Sequence, residues 1–297
     1  MTSKQLRLLK HDLIGWSFCI IPIILFVLFI LVPIGMAVYL SFTNYNLLTM
    51  EWVGGRQYAA LFTNDAMRSD MLIAFRNAIL YTIMFVPLSI LLPFVIAAML
   101  HTNLRGAKVF RVLLYVPGLT GAVAMSMIWN WLFSPVYSPI NALLSALHLP
   151  TSQFIHSTDT AMICLVLMMV WSGLGGGVVL FTAGMQMIPG EYYEAAKLDG
   201  ASGARQFWSI TVPILAPTTY FQTTMSIIGA LQLFDPVYLL TNGGPQKATQ
   251  TPGYLIYKMS FVAPRMAGTA CAFAIIFFVV VMLITFLFQK TAKESYL

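Results

Sequence analysis

The chain has 297 residues, of which 59% are hydrophobic and only 9% are charged, and its net charge is +6. Because soluble domains have about 25% charged residues, this composition excludes an ordinary water-soluble protein. The basic residues stand at the ends of apolar runs and form no single patch, which argues against nucleic acid as a partner. An all-helical protein that crosses a lipid bilayer several times is predicted.

Uncharged apolar windows predict six membrane-spanning helices, since about 20 apolar residues are needed to cross the hydrocarbon layer. The predicted spans lie near residues 14–42, 77–100, 112–133, 160–187, 214–236 and 266–289. They define a membrane domain at 14–289, with an N-terminal tail at 1–13 and a C-terminal tail at 290–297. The first span is longer than the apolar core of a signal peptide, and no clear cleavage site precedes Thr43, so we expect it to stay uncleaved.

The third apolar window, at 112–158, is long enough for two spans, but prolines interrupt its second half. Pro135, Pro139 and Pro150 surround a short apolar run at 141–149. This run is too short to cross a membrane, so a surface or re-entrant helix is predicted there.

Positive charges predict that both ends of the chain lie in the cytosol. If the amino terminus is cytosolic, ten of the 16 lysines and arginines fall in inside segments and six in the longer outside segments. Cytosolic loops of membrane proteins carry an excess of these residues. In this orientation the polar segment at 188–213 is also cytosolic.

The segment at 188–213 is too long for a simple turn and has the residues of a helix. Pro189 ends the fourth span, and Glu191 and Glu194 are then predicted in the first turn of a new helix, where acidic groups interact favourably with the positive end of its dipole. A Glu194–Lys197 ion pair is expected to add a few tenths of a kcal/mol to this helix.

One face of the predicted helix is narrow and has small side chains. Tyr192, Ala195 and Leu198 recur at intervals of three residues, and Gly200 supplies a turn that a residue with a Cβ atom resists. From these residues alone, a surface hairpin and a docking element for a soluble partner both stay open.

Two motif blocks resemble one protein family. The residues EAA at 194–196, DGA at 199–201 and I-x-V-P at 210–213 resemble the EAA loop in the permease subunits of binding-protein-dependent ABC importers. Val212 is a mild departure, because the usual motif ends in Leu-Pro. The sequence LTNGGP at 240–245, together with Phe234-Asp235 before it, resembles the carbohydrate branch of that family.

This resemblance implies the type I ABC importer permease fold and a coupling helix that docks on a cytosolic ATPase. The chain has no G-x-x-x-x-G-K-[ST] loop, so we expect no cofactor in this chain, with ATP and Mg bound by an ATP-binding subunit dimer. The other implied partners are a second homologous permease subunit, an extracytoplasmic substrate-binding protein and a sugar, in a bacterial cytoplasmic membrane. The implied docking residues are Glu191, Tyr192, Glu194, Ala195, Ala196, Leu198, Asp199 and Gly200.

Polar side chains inside the spans suggest a substrate pathway, since such groups are costly in lipid and tend to face a cavity or another helix. Amides and hydroxyls bind sugar hydroxyls, and aromatic rings pack against the apolar faces of sugars. The predicted pathway residues are Ser126, Asn130, Trp171, Gln222, Ser226, Gly229 and Gln232. Hydrogen bonds between helices are the alternative, which we favour for Ser126 and Asn130. The glycine run at 175–177 is expected to weaken the fourth span and let it bend.

The position of Ser226 matches a sugar-contacting serine of maltose-type permeases, which favours lining at that residue. Two asparagines of the same pattern are replaced here by Ala230 and Leu233, so the sugar stays open. Asp235 fits either a proton-coupling carboxylate or a cap at the outer end of the fifth span, and we favour the cap.

Two other classes of protein are alternatives to an importer subunit. A stand-alone secondary carrier or channel for a small polar solute is the main alternative. A membrane enzyme is disfavoured, because the spans contain no paired carboxylates, no histidine cluster and no nucleophile beside a base. The three cysteines lie in apolar runs and the four histidines have no ligand spacing, so no disulfide framework and no metal site are predicted.

Overall fold

A computed structural model of the protein describes residues 16–101, 106–262 and 266–295. The predicted N-terminal tail, the first two residues of the first predicted span and the last two residues of the C-terminal tail lie outside this range. Among the described residues the chain is helical, with one isolated bridge between Thr43 and Trp52 as its extended pairing. The all-helical prediction is confirmed there.

The helical segments that position the functional residues are numbered α1 to α12. They are α1 Trp16–Ser41, α2 Arg56–Thr63, α3 Asp65–His101, α4 Ala107–Leu119, α5 Ala122–Leu132, α6 Pro139–Ala146, α7 Ala161–Gln186, α8 Gly190–Leu198, α9 Gly203–Gln206, α10 Ala216–Leu231, α11 Pro252–Tyr257 and α12 Ala267–Ser295. A π-helical stretch at Phe207–Thr211 continues α9.

Among the described residues, α1, α3, α7 and α12 are each long and apolar enough to cross a membrane. The pair α4 and α5 makes a fifth candidate span if it is counted as one, although the two helices meet at an angle of 100°. The break follows from the local sequence: Thr120 is extended, with ψ of 128°, and Gly121 after it favours no helix. The predicted third span at 112–133 is therefore a bent pair.

The predicted fifth span at 214–236 also differs from one straight helix. α10 has 16 residues, and at 1.5 Å per residue it extends about 24 Å, less than the hydrocarbon core of about 30 Å. Pro213 and Pro217 lack amide donors, and the helical backbone is interrupted at Leu215 between them. The count of six spans stays a prediction.

α3 is much longer than the predicted second span at 77–100, because its first three turns are polar. The Asn64 side chain accepts hydrogen bonds from the backbone amides of Ala66 and Met67, and Asp65 lies in the first turn. Hydropathy finds the apolar part of this helix alone, so the sequence prediction began twelve residues late.

The chain forms two compact units, and each is described here by itself. The first comprises Met1–Arg68 and Ile256–Ile276. In it, the buried side chain of Gln57 donates to the Thr43 carbonyl at 3.1 Å and accepts from the Thr269 hydroxyl at 2.6 Å. One amide thus joins the connection after α1 to the start of α12.

The second unit comprises Ser69–Leu255 and Phe277–Leu297 and contains α7 at its centre. α7 runs unbroken through the glycine run, contrary to the expected bend. A Cβ atom at Gly175 would lie 2.2 Å from the Leu114 carbonyl oxygen, and one at Gly177 would lie 2.7 Å from Pro93. These two glycines therefore let α4 and α3 approach α7 closely.

Candidate coupling loop and transport pathway

α8 places the predicted docking residues at the surface. It begins at Gly190, and Glu191 lies in its first turn as predicted, whereas Glu194 lies beyond that turn. The side chains of Tyr192 and Leu198 are 55% and 89% exposed, so α8 presents apolar surface outward. Of the eight predicted docking residues, Ala196 is half-buried and the exposed ones are Glu191, Tyr192, Glu194, Ala195, Leu198, Asp199 and Gly200.

Gly200 ends α8 in the left-handed conformation that the sequence predicted, with φ of +77°. The Gly200 amide donates to the Lys197 carbonyl at 3.0 Å, and the Ala201 amide donates to the Ala196 carbonyl at 2.9 Å. This pair of bonds is a Schellman motif, in which glycine is favoured because it has no Cβ atom. The elbow after α8 is thus held by backbone bonds and has a defined angle.

The inner side of α8 is tied to the returning helical segment of the loop, at 201–211. The Tyr193 hydroxyl lies 2.9 Å from the Thr211 hydroxyl, and the Gln206 amide donates to the Ala201 carbonyl at 2.9 Å. The Tyr193 ring also packs against a buried cluster that includes Met185 and Leu215. Sequence reasoning missed this anchor, because Tyr192 and Tyr193 are adjacent and nothing in the pattern says which one points inward.

The predicted Glu194–Lys197 ion pair does not form. Neither residue is in an ion pair among the described residues. Lys197 instead shares the inner side with Tyr193, where both line a cavity of about 460 Å³ together with His101. Glu194 lies on the exposed side of α8, so its carboxylate is available to a partner.

Three predicted pathway residues lie on one wall of a single cavity. Gln222, Ser226 and Gly229 of α10 line a space of about 250 Å³, as their helical spacing predicted. The opposite wall comes from α3, with Tyr81 and Phe85, and the remaining lining residues are Met169, Met225, Ala230 and Leu233.

Ser226 is 8% exposed, and its hydroxyl lies 3.2 Å from the Ser89 hydroxyl of α3. This bond joins two helices, so both interpretations of Ser226, lining and helix contact, have a counterpart in the structure. Gly229 differs from it in being exposed, with no atom within 4 Å of a Cβ built there. The cavity is therefore open at Gly229.

The other predicted pathway residues lie elsewhere. Gln232 is exposed and lines a separate groove between α10 and α12, because it has rotated off the face of Ser226. Trp171 forms an edge contact with Trp129 of α5, with ring centroids 5.7 Å apart. Ser126 is buried and Asn130 is exposed, so these two residues do not share one environment.

Sequence reasoning missed the α3 wall of the cavity. Tyr81 and Phe85 have stacked rings, with centroids 5.3 Å apart and an interplanar angle of 11°. Tyr81 is 1% exposed, and its hydroxyl has no hydrogen-bond partner in the described part of the chain. The spacing of Tyr81, Phe85 and Ser89, four residues apart each, was the available signal, since it places all three on one helix face.

A family model covers most of the chain. Residues 74–293 match the model of the inner membrane component of binding-protein-dependent transport systems. The chain belongs to this family. The matched region contains α7, α8, α10 and the part of α3 from residue 74 onward, and so includes both the coupling loop and the cavity. As a member of this family of transport-system permeases, the protein is a membrane-embedded subunit.

Relatives and solved structures agree with the family. The probable ABC transporter permease protein YesP of Bacillus subtilis is 33% identical over 98% of this chain and 93% of its own length. The multiple sugar-binding transport system permease protein MsmF of Streptococcus mutans is 30% identical over 94% of this chain and 95% of its own. A bacterial ABC transporter that imports alginate matches with a TM-score of 0.84 at 19% identity, over 98% and 99% of the two chains. That likeness confirms the predicted permease fold.

Proposed function

We propose that this chain is one of two permease subunits that together form the sugar path of an ABC importer in the bacterial cytoplasmic membrane. The names of its relatives support a carbohydrate substrate, as MsmF belongs to a sugar transport system. The chemistry of the cavity supports it too, since the amide of Gln222 and the ring of Phe85 suit the hydroxyls and apolar faces of a sugar. A second, homologous permease subunit covers the open side at Gly229.

The observation that carries the proposal is the two-sided build of α8. Its inner side is anchored by Tyr193, and its outer side exposes Tyr192, Glu194 and Leu198 to solvent. Exposed apolar side chains beside an exposed carboxylate on one anchored helix offer a partner both apolar surface and a charge. The partner is an ATP-binding subunit dimer, which holds ATP and Mg and hydrolyses the nucleotide.

In this proposal both termini and α8 are cytosolic, and the outer loops face an extracytoplasmic binding protein. The loops at 44–76, 134–159 and 237–265 are the segments available for that contact. Transport follows alternating access: ATP closes the nucleotide subunits, α8 transmits the movement, and the cavity opens outward to accept sugar. Such coupling requires two states whose balance each ligand shifts differently.

Reconstitution tests the proposal. The complete importer, with its ATPase, second permease and binding protein, is placed in proteoliposomes. Uptake is measured for glucose, galactose, lactose, raffinose, an alginate trisaccharide and sn-glycerol 3-phosphate. We expect ATP-dependent uptake of at least one of them. Uptake of none contradicts the proposed function, and ion-driven flux with this chain alone supports a stand-alone carrier.

The coupling role has its own test in the double variant Glu194→Ala with Gly200→Pro. Proline holds φ near −65°, so it cannot adopt the +77° found at Gly200, and the exposed carboxylate is lost as well. We expect transport to fall at least tenfold while membrane insertion stays normal. Gly35→Ala, a change at a glycine of α1 where a Cβ atom meets nothing within 4 Å, is the control. Transport at the parental rate in the double variant would mean that α8 is not the coupling element.

A further inference from the structure

The Tyr81 hydroxyl is one of six buried side-chain polar atoms that have no hydrogen-bond partner among the described residues. Tyr81 is buried, and its oxygen has no hydrogen-bond partner among the described residues. Buried polar groups are nearly always paired in native proteins, because an unpaired one loses the bonds that water would provide. The Tyr81 hydroxyl is therefore available to a partner other than the described residues.

The surroundings of Tyr81 show where that partner lies. Its side chain lines the cavity of about 250 Å³, opposite Gln222 and Gly229 of α10. The stacked ring of Phe85 holds the Tyr81 ring in place, so the hydroxyl has a fixed position. The hydroxyl of Ser226 in the same cavity already lies 3.2 Å from Ser89. Tyr81 therefore borders the cavity and has a buried phenolic hydroxyl that no described residue uses.

The size and lining of the cavity limit the ligand. Its volume is below the 300–1,000 Å³ of typical small-molecule sites, so it fits part of a larger solute, such as one sugar ring. Phe85, Met169 and Met225 supply apolar surface for the C–H face of that ring. The lining residues include no ionisable group except Tyr81 itself, which favours a neutral, hydroxylated ligand.

We propose that the Tyr81 hydroxyl hydrogen-bonds a hydroxyl group of the transported sugar and thereby selects for the sugar that has it. This assignment rests on the proposed function and adds a specificity-determining residue to the same path. Sites that hydrogen-bond a substrate hydroxyl discriminate strongly against analogues that lack it, because the site is then left unpaired. Tyr81 thus determines the substrate selectivity of transport, whereas α8 couples transport to ATP hydrolysis.

The test compares Tyr81→Phe with the parental chain in the complete importer. Uptake is measured for the fastest sugar of the panel above and for its single-deoxy analogues. Loss of one neutral hydrogen bond corresponds to about a three- to tenfold change, so we expect that decrease in uptake of the parent sugar. For one analogue, which lacks the contacted hydroxyl, parental and variant importers should transport at equal rates. Tyr115→Phe, half-exposed on α4, is the control and should change neither rate.

A merely structural role of Tyr81 predicts different results. Since Phe removes an unpaired hydroxyl and keeps the ring, the melting temperature of Tyr81→Phe should stay equal or rise. Equal uptake by variant and parental importers, or a lowered melting temperature with equal losses for every analogue, overturns the assignment and leaves the proposed function intact. Failure of the parental importer to transport any panel sugar contradicts the proposed function itself.

Discussion

Single glycines determine how closely the helices of the second unit approach α7. Gly175 faces the backbone of α4, where a Cβ atom would lie 2.2 Å from the Leu114 oxygen and 2.5 Å from the Tyr115 Cα. Backbone atoms cannot move aside as a flexible side chain can. Gly176 is one residue away on the same helix, and a Cβ atom there meets nothing within 4 Å. The two positions therefore form a matched pair.

Gly175→Ala should destabilise the protein by about 1–3 kcal/mol, as overpacking does. Gly176→Ala should leave stability equal or raise it by up to about 1 kcal/mol, because alanine favours a helix over glycine. Thermal denaturation of the detergent-purified protein measures both. Equal melting temperatures for the two variants would show that α4 does not pack against α7 at Gly175.

Gly229 permits a residue-scale test of the pathway. Its surroundings are open, so Gly229→Leu should fold normally and fill the mouth of the cavity. We expect sugar uptake to fall at least tenfold with an unchanged melting temperature. Gly35→Leu, a change at an equally open glycine of α1, should leave uptake unaltered. A fully active Gly229→Leu variant would place the path elsewhere.

Asn77 connects α3 to the loop that has the LTNGGP motif. It is fully buried, and its amide donates to the Lys247 carbonyl at 2.8 Å and to the Gln250 carbonyl at 3.0 Å. Asn77→Leu keeps the size and removes both donors, which leaves two carbonyls without these bonds. We expect a loss of about 2 kcal/mol in unfolding free energy, measured by thermal denaturation. Unaltered stability would mean that water replaces the amide.

At the scale of elements, α8 and the returning helical segment of the loop form one rigid hairpin. The bond between Tyr193 and Thr211 closes it on the inner side, and the Schellman turn at Gly200 closes its end. Tyr193→Phe and Thr211→Val each remove that bond, so their effects should not add. In ATP-driven transport we expect a two- to fivefold decrease for either variant, about 0.5–1 kcal/mol, and no further decrease in the double variant. Additive losses would show that the two hydroxyls act separately.

Hydropathy predicted the long spans well and the broken ones poorly. α1, α7 and α12 agree with the predicted segments to within a few residues, because continuous apolar runs have one solution in lipid. The bend between α4 and α5 depends on how Thr120 and Gly121 pack, and no apolar count contains that information. The start of α3 was missed for a similar reason, since its polar turns resemble a loop.

The candidate site was likewise predicted only in part. The i, i+4, i+7 spacing placed Gln222, Ser226 and Gly229 in one cavity, because all three belong to a single helix. The opposite wall was missed, since contacts between distant helices such as that of Ser226 with Ser89 depend on tertiary structure. In the sequence, Tyr81 does not differ from the other aromatic residues of the span, because the burial of its hydroxyl depends on tertiary structure.

At the scale of the whole molecule, the exposed apolar surface is too large for water. In the most apolar window of α1 no residue is buried in this chain. Such a surface must be covered by lipid or by another membrane subunit. The protein should therefore be stable only in detergent or lipid and gain stability when its partner subunits are present.

The orientation of α8 is a whole-molecule prediction. Leu198→Cys places a thiol on the exposed side of α8, in a background without Cys19, Cys164 and Cys271. A membrane-impermeant maleimide should label it in inside-out vesicles and leave it unlabelled in intact cells. Leu48→Cys, exposed in an outer loop, should show the reverse pattern. Labelling of Leu198→Cys from outside intact cells contradicts the cytosolic assignment and every role proposed for α8.

The two sides of α8 have separate structural requirements. Tyr193 must fit the protein's own hairpin, whereas Tyr192, Glu194 and Leu198 are exposed and make no contact with the described residues that fixes their identity. The outer residues can thus be substituted to match a different ATPase subunit without disturbing the fold. Replacing only these outer side chains with those of another permease should let this transporter work with the ATPase subunits of that permease. ATPase subunits could then be exchanged among importers without redesigning the permease fold.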